Sequence, residues 1–411
     1  MALVRPCSAW LLPAGADPSA KVILIGRALR AFADGYVAVL LPAYLLALGF
    51  GQLDVGYLST ATLAGSALAT LAVGTLGHRW PHRRLLVGAA WLMAATGAGF
   101  AGFSGFWPLV VVAFVGTLNP SSGDVSVFLP LEHARLAGTA QGEARTALFA
   151  RYTLMGYLCA ALGALTAGLP AWLAEHGPLS LTDALRGMFL LYGLIGLLVW
   201  FLYRRLPRQE ADGRTPAAAP LGPSRGIVWK LAALFSVDAF AGGLVVNSLL
   251  ALWLFERFGL SLATAGAFFF WAGLLSAGSQ LAAPRVARRI GLLNTMVFTH
   301  IPANLCLILA ALAPGMGAAL ALLLVRSALS QMDVPVRTAY VMSVVTPAER
   351  AAAASFTAVP RSLAAAASPS LGGAFLAAGM LSAPLVACGA LKTAYDLMLL
   401  FAFRHHKVDE A

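Results

Sequence analysis

The stretch RRLPRQEADGRTPAAAPLGPSR, from Arg204 to Arg225, lies within the longest polar segment of the chain. Its Pro, Gly and scattered charges leave no continuous face to bury, so it reads as a flexible linker. Outward from it, in both directions, the sequence turns apolar. On the N-terminal side apolar runs fall near 21–48, 55–76, 85–103, 108–131, 146–169 and 186–203. On the C-terminal side they fall near 229–253, 262–282, 292–313, 317–345, 352–378 and 384–403. A helix crosses the hydrocarbon core with about 20 residues, and each run is near or above that length. The linker therefore divides six candidate spans from six. Pro42, Pro120, Pro335, Pro360 and Pro369 fall inside these runs and are expected to break them. In a membrane the backbone groups freed by such breaks are satisfied by neighbouring helices or border a cavity.

Composition supports the same solvent. Of 411 residues 60% are hydrophobic and only 11% charged, against about 25% charged in a soluble domain. A water-soluble fold has no place for so much apolar surface, and disorder needs the opposite balance. The net charge of +11 does not imply nucleic acid, because the bases sit between apolar runs and form no single water-facing patch. They mark orientation instead. With both termini inside, nineteen Lys and Arg fall in inner segments, while only Arg186 and Arg257 fall in outer loops. The expectation is a multi-pass protein of the cytoplasmic (inner) membrane with both termini cytoplasmic. The tails are 1–20 and 404–411, the six-helix bundles 21–203 and 229–403, and the linker 204–228.

The apolar patch near the N-terminus is too short and too interrupted for a signal peptide. Cys7, Cys159, Cys306 and Cys388 are far apart and read as apolar fillers. The seven His are dispersed too, so no metal site is expected. No GxxxxGK[ST], GxSxG or HExxH pattern occurs, which argues against nucleotide-driven work, an enzyme or a cofactor.

The two halves are related. At a shift of 209–210 residues Asp124-Val-Ser-Val meets Asp333-Val-Pro-Val, and His78-Arg79 meets Arg288-Arg289. Arg151 likewise meets Arg361, and Gly163 meets Gly373. At a slightly shorter shift Asp34 meets Asp238 and Phe50-Gly51 meets Phe258-Gly259. Several coincidences in equivalent helices or loops indicate a duplicated six-helix unit. Internal repeats of this kind are a transporter signature, with the site at the repeat interface.

The loop Gly74-Thr-Leu-Gly-His-Arg-Trp-Pro-His-Arg-Arg-Leu-Leu86 resembles the G-x-L-a-D-r-x-G-r-k loop between helices two and three of the major facilitator superfamily. Gly74, Leu76, Arg79 and Arg83 match; His78 replaces the usual Asp and Pro81 the usual Gly. The second copy, Val286-Ala-Arg-Arg-Ile-Gly291, keeps Arg288, Arg289 and the Gly. The resemblance implies an all-α membrane protein of twelve transmembrane helices in two pseudo-symmetric six-helix bundles. It also implies a cytoplasmic gate at this loop, whose latch must be altered here because the Asp is missing. Ser368-Pro-Ser-Leu-Gly-Gly373 resembles the family's Gly-Pro-rich antiporter motif, although it lies in the eleventh helix.

Charges inside the spans carry the chemistry, since each costs about 2.5–3.5 kcal/mol at a helix centre unless it faces a cavity or a partner. The acids are Asp34, Asp124, Asp238, Asp333 and Asp396; the bases are Arg27, Arg30, Arg151, Arg326, Arg337, Arg361 and Lys392. The resemblance places the first four acids on or near the central pathway. Two readings stand for them: proton coupling, or permanent ion pairs such as Asp124 with Arg151 and Asp333 with Arg361. Arg326, Asp333 and Arg337 are spaced to share one helix face, as an internal network or an anion site. Lys392 and Asp396, four apart, are expected to neutralise one another, and Arg30 to pair locally with Asp34 or to snorkel with Arg27. Tyr36, Asn247 and Gln331 are candidate substrate contacts or interhelical hydrogen bonds.

The expected function is a monomeric secondary transporter, proton-coupled and exporting small organic molecules by alternating access. Its partners are the bilayer, protons and the solute. Proton-coupled uptake or uniport of a small, possibly anionic, metabolite is the first alternative. A receptor or scaffold on the same fold is the second.

Overall fold

A computed structural model of the chain describes residues 12–13, 15–121, 126–207 and 221–404. Helices dominate, and no strand occurs among the described residues. The first half contains α1 (Ser19–Ala47), α2 (Gln52–Leu76), α3 (His82–Gly102), α4 (Phe106–Val115), α5 (Phe128–Ala137), α6 (Gly142–Leu165), α7 (Leu169–His176) and α8 (Leu181–Arg204). The second contains α9 (Arg225–Gly243), α10 (Asn247–Phe258), α11 (Leu262–Ile290), α12 (Leu292–Leu312), α13 (Met316–Leu329), α14 (Asp333–Ser343), α15 (Arg350–Ala367), α16 (Pro369–Ala377) and α17 (Ala383–Phe403). Among the described residues ten helical stretches are long and apolar enough to cross a membrane. Broken spans four (α4 with α5) and eleven (α15 with α16) complete twelve.

Local chemistry sets the ends. Ser180 accepts the N–H of Asp183 at 3.1 Å and starts α8; Ser261 does the same for Thr264 and α11. Gly259, at φ +61°, closes α10 in a left-handed turn that favours Gly. α9 begins at Arg225, so the end of the expected linker 204–228 is already helical. Not every Pro breaks its helix. Pro42 and Pro360 lie inside continuous α1 and α15. Pro369 instead opens α16 and Pro335 sits in the first turn of α14, where a missing N–H leaves no helical bond unmade.

Large apolar side chains such as Trp107, Leu312 and Phe401 point outward, 62–73% exposed, as a lipid-facing surface requires. Helices then meet through small residues, because lipid gives no hydrophobic drive for association. A Cβ on Gly35 would lie 2.0 Å from the Ala160 carbonyl oxygen, and one on Gly163 1.9 Å from that of Phe32, so α1 and α6 touch backbone to backbone. The second half repeats this: a Cβ on Gly243 would lie 2.4 Å from the Ala365 oxygen, joining α9 to α15. Likewise α3 packs on α8 through Gly97 and Gly193, and α12 on α17 through Gly389.

The halves meet along α2 with α15 and α16, α6 with α11, and α1 with α10. Contact is tight at the end opposite the linker. A Cβ on Gly56 would lie 2.8 Å from the Pro369 oxygen. Ser370 N–H donates to Thr60 Oγ1 at 3.0 Å, and Ser59 and Ser248 hydroxyls lie 3.0 Å apart. At the linker end the terminal turns of α2 are exposed, as are Ala354, Ala358 and Arg361 on α15. The molecule is closed at the far end and open at the linker end.

Candidate transport pathway and its buried charges

Three helices of the second half bring four charges together. Arg337 on α14 donates through Nη2 to Asp333, one turn earlier, and lies 3.1 Å from Asp238 Oδ2 on α9. Lys392 Nζ, from α17, donates to the other oxygen of Asp238. Asp238, Asp333 and Arg337 are buried, and the guanidinium also sits 5.3 Å from the Phe235 ring centre. The network is formally neutral, which is what lets four charges stay away from water.

This corrects two expected pairings. Lys392 does not neutralise Asp396; it reaches α9, while Asp396 receives His300 Nδ1 at 2.9 Å and Asn304 Nδ2 at 3.0 Å from α12. Neighbouring helices offer each group a partner, and that competes with the i, i+4 contact. Asp333 takes Arg337 rather than Arg361. Arg361 stays exposed at the cavity, with no ion pair among the described residues.

The expected stripe of Arg326, Asp333 and Arg337 is also revised. The tenth span breaks between Leu329 and Asp333, so spacing on one straight helix no longer holds. Arg326 is half-buried and within electrostatic reach of Cys306 and Cys388, on the side of α12 and α17.

The first half has its own network, around a residue the sequence reading passed over. Glu132 on α5 is fully buried. Arg30 Nη2 bonds it at 2.6 Å, Tyr152 donates to it at 2.5 Å, and Tyr203 donates to its second oxygen. Glu132 directly follows the apolar run 108–131, so it does not count as a charge inside a span. Arg30 is therefore a buried charge, 4.1 Å over the Phe128 ring, and does not snorkel. Arg27 is buried too, packed against Gly156 of α6. Asp34 is half-buried on α1; Arg151 is half-buried on α6, its Nη1 without a hydrogen bond among the described residues. Asp124 and the His78 side chain lie outside the described residues.

Of the polar candidates, Tyr36 is buried and donates to the Met188 carbonyl at 3.2 Å, so it ties α1 to α8. Asn247 is half-buried at the start of α10. Gln331 accepts from Tyr157 at 3.2 Å, and Gln280 donates to the same hydroxyl at 2.8 Å. That chain links the halves through α6, α11 and the break in span ten. In the gate loop, Gly74 and Arg79 are exposed, and Arg83 donates to the carbonyl of Arg204 at the end of α8. A cation suits a helix C-terminus, and this contact stays within the first half. Arg288 and Arg289 are exposed on the last turn of α11.

Beside the second-half network, between α9, α14 and α15, lies a cavity of about 230 Å³. Phe235, Val341, Met342 and Ala358 form its apolar wall; Arg337 and Arg361 bring charge to it.

Residues 23–369 match the profile of the Major Facilitator Superfamily. The chain belongs to that superfamily. It is thus a multi-pass membrane transporter rather than an enzyme. A curated relative, the uncharacterised membrane protein YJR124C of Saccharomyces cerevisiae, is 24% identical over 323 residues, 70% of this chain and 72% of the relative. Among solved structures, this superfamily member is similar to the nucleoside transporter NupG, with TM-score 0.72, 13% identity, and 95% and 100% of the two chains covered. It is similar also to the xylose transporter XylE from E. coli in an inward-open conformation, with TM-score 0.71, 17% identity, and 95% and 97% covered. These likenesses concern the fold.

Proposed function

We propose that this superfamily member is a proton-coupled secondary transporter that exports small organic molecules by alternating access. It works as a monomer in the cytoplasmic membrane, with both termini inside. Bundles 21–203 and 229–403 rock about the midplane, joined by the linker 204–228. The observation that carries the reading is the buried network Asp238–Arg337–Asp333–Lys392 beside the cavity. Protonating either carboxylate leaves Arg337 and Lys392 with one negative charge between them. Breaking a buried pair costs about 3–5 kcal/mol. A proton entering down 100 mV supplies about 2.3 kcal/mol, and a tenfold gradient about 1.4 kcal/mol more. The two magnitudes match, so one proton suffices to switch the network. Asp34 and Asp124 are the first-half counterparts of these acids, with Arg30 and Arg151 as charge partners. Asn247 and Gln331 meet the solute along its path, outside the cavity of Arg337 and Arg361, and Gly74, His78, Arg79, Arg83, Arg288 and Arg289 form the cytoplasmic gate.

Proton-coupled uptake or uniport of an anionic metabolite is a second reading, favoured by Arg361 at the cavity. Proteoliposomes loaded with a pH-sensitive dye and challenged with a solute library under pH gradients of either sign separate the two. Export coupling predicts proton movement opposite to the solute, and Asp238→Asn or Asp333→Asn abolishes it while solute exchange persists. Undiminished pH-driven transport in both variants would rule the network out.

A further inference from the structure

Arg337 and Arg361 are the charged residues that line the cavity, and with the ion pairs behind Arg337 counted the group carries one more positive than negative charge. Asp238 and Asp333 face Arg337 and Lys392, and this set is neutral. Arg361 is additional. It has no hydrogen bond or ion pair among the described residues; its charge stands within electrostatic reach of Arg337 first and of Asp238 and Asp333 behind it. Arg337 itself is 7% exposed, and its Nε and Nη1 are buried without a hydrogen-bond partner. Its Nη2 is spent on the two aspartates, so these two N–H-bearing atoms are unused donors. A buried donor left unmade costs about 1–3 kcal/mol, more where it belongs to a charged group. Two guanidiniums with spare donors, on adjacent α14 and α15, bound one cavity.

We propose that this cavity is the substrate site and takes an organic monoanion, its carboxylate, sulfonate or phosphate-type head held between Arg361 and Arg337. One negative charge neutralises the surplus; planar guanidiniums bind such oxyanions in bidentate fashion. The rest of the molecule is mainly apolar, because Phe235, Val341, Met342 and Ala358 offer it no polar contact and the hydroxyls of Thr338 and Thr357 donate to their own helix backbone. A volume of about 230 Å³ suits a small body, such as one ring or a short chain. The head is set against the coupling network, so solute charge and proton act on the same Arg337. The inference deepens the transport reading above and rests on it for the word substrate.

Equilibrium binding tests it without requiring transport. Purified protein in zwitterionic-lipid nanodiscs is titrated calorimetrically with benzoate, hexanoate, benzenesulfonate and phenyl phosphate, and with neutral benzamide and cationic benzylamine as controls. At least one anion binds saturably and at least tenfold more tightly than either control. Arg361→Gln weakens it at least tenfold, and Arg361→Lys restores part of the loss. Binding equal for anion and amide, indifference to Arg361→Gln, or no binding by any anion of the panel overturns the proposal. A lipid headgroup offers the same chemistry, so the titration is repeated with phosphatidylglycerol in the nanodisc. Unchanged affinity supports a soluble anion; affinity that falls in proportion to the anionic lipid overturns it. Anion binding that fails while dye-reported proton exchange persists removes only this inference. Intact anion binding with no proton movement removes only the coupling.

Discussion

Single buried charges carry the largest local energies in this protein. Glu132 is fully buried and answers Arg30 and two tyrosines. Glu132→Ala leaves the Arg30 charge unanswered and is expected to destabilise by about 3–5 kcal/mol. Tyr203→Phe removes one hydrogen bond to a charged acceptor and should cost less, about 1.5–3 kcal/mol. Thermal unfolding of purified variants checks the order; equal effects would mean that Arg30 finds another anion. Lys392 gives a second test. If it serves Asp238, a double-mutant cycle of Lys392→Met with Asp238→Asn shows a coupling of about 0.5–3 kcal/mol. The same cycle with Asp396→Asn shows much less, because Asp396 is held by His300 and Asn304.

At the scale of helices, backbone proximity decides which states are reachable. The eleventh span turns at Ser368 and presents Gly373 to α2, where an added Cβ would lie 2.8 Å from the Gln52 carbonyl oxygen. Backbone cannot yield as a side-chain tip can. Gly373→Val is therefore expected to open the far end and to shift the population away from the closed-far-end form. Spin labels at Ala47 and Met380, on opposite halves of that end, should report a longer distance in the variant. An unchanged distance would place the seal elsewhere. The Ser368-Pro-Ser-Leu-Gly-Gly373 motif thus acquires a physical role, as the surface that lets two halves touch.

For the whole molecule, the linker is anchored where it enters the second half. Outside the spans, Glu349 accepts the N–H of Gly222 and the N–H of Ser224 at 3.3 Å, and the Thr346 hydroxyl at 2.8 Å. It pins the end of the linker to the loop before α15. Bonds from Ser224 first, then Gly222 and Thr346, lower its pKa to about 2. A depressed carboxylate stabilises the fold above its unfolded value, about 4.3, and the contribution is lost as pH falls toward 2. Glu349→Gln should remove this part of the acid sensitivity between about pH 4.3 and 2. Unfolding midpoints of the two proteins, compared across that window, converge at its acid end. A constant difference would exclude the clasp.

The sequence by itself determined the solvent, the twelve spans and the duplication. These rest on composition, run length and repeat spacing, which are one-dimensional quantities. The charges that matter were also legible, since a charge inside an apolar run must have a reason. Their cross-helix partners were not. Lys392 had Asp396 one turn away and went to Asp238 on another helix, whereas Asp333 kept Arg337, its i, i+4 neighbour, and left Arg361. Glu132, just past the end of an apolar run, carries no signal of run length or repeat and is the centre of a network. Helical spacing says which groups can meet along one helix. It says nothing about the neighbour that crosses at that height, and in a low-dielectric interior a buried charge takes the opposite charge that reaches it, along the helix for Asp333 and across helices for Lys392. Only the tertiary structure supplied those crossings, and with them the uncompensated Arg361 at the cavity.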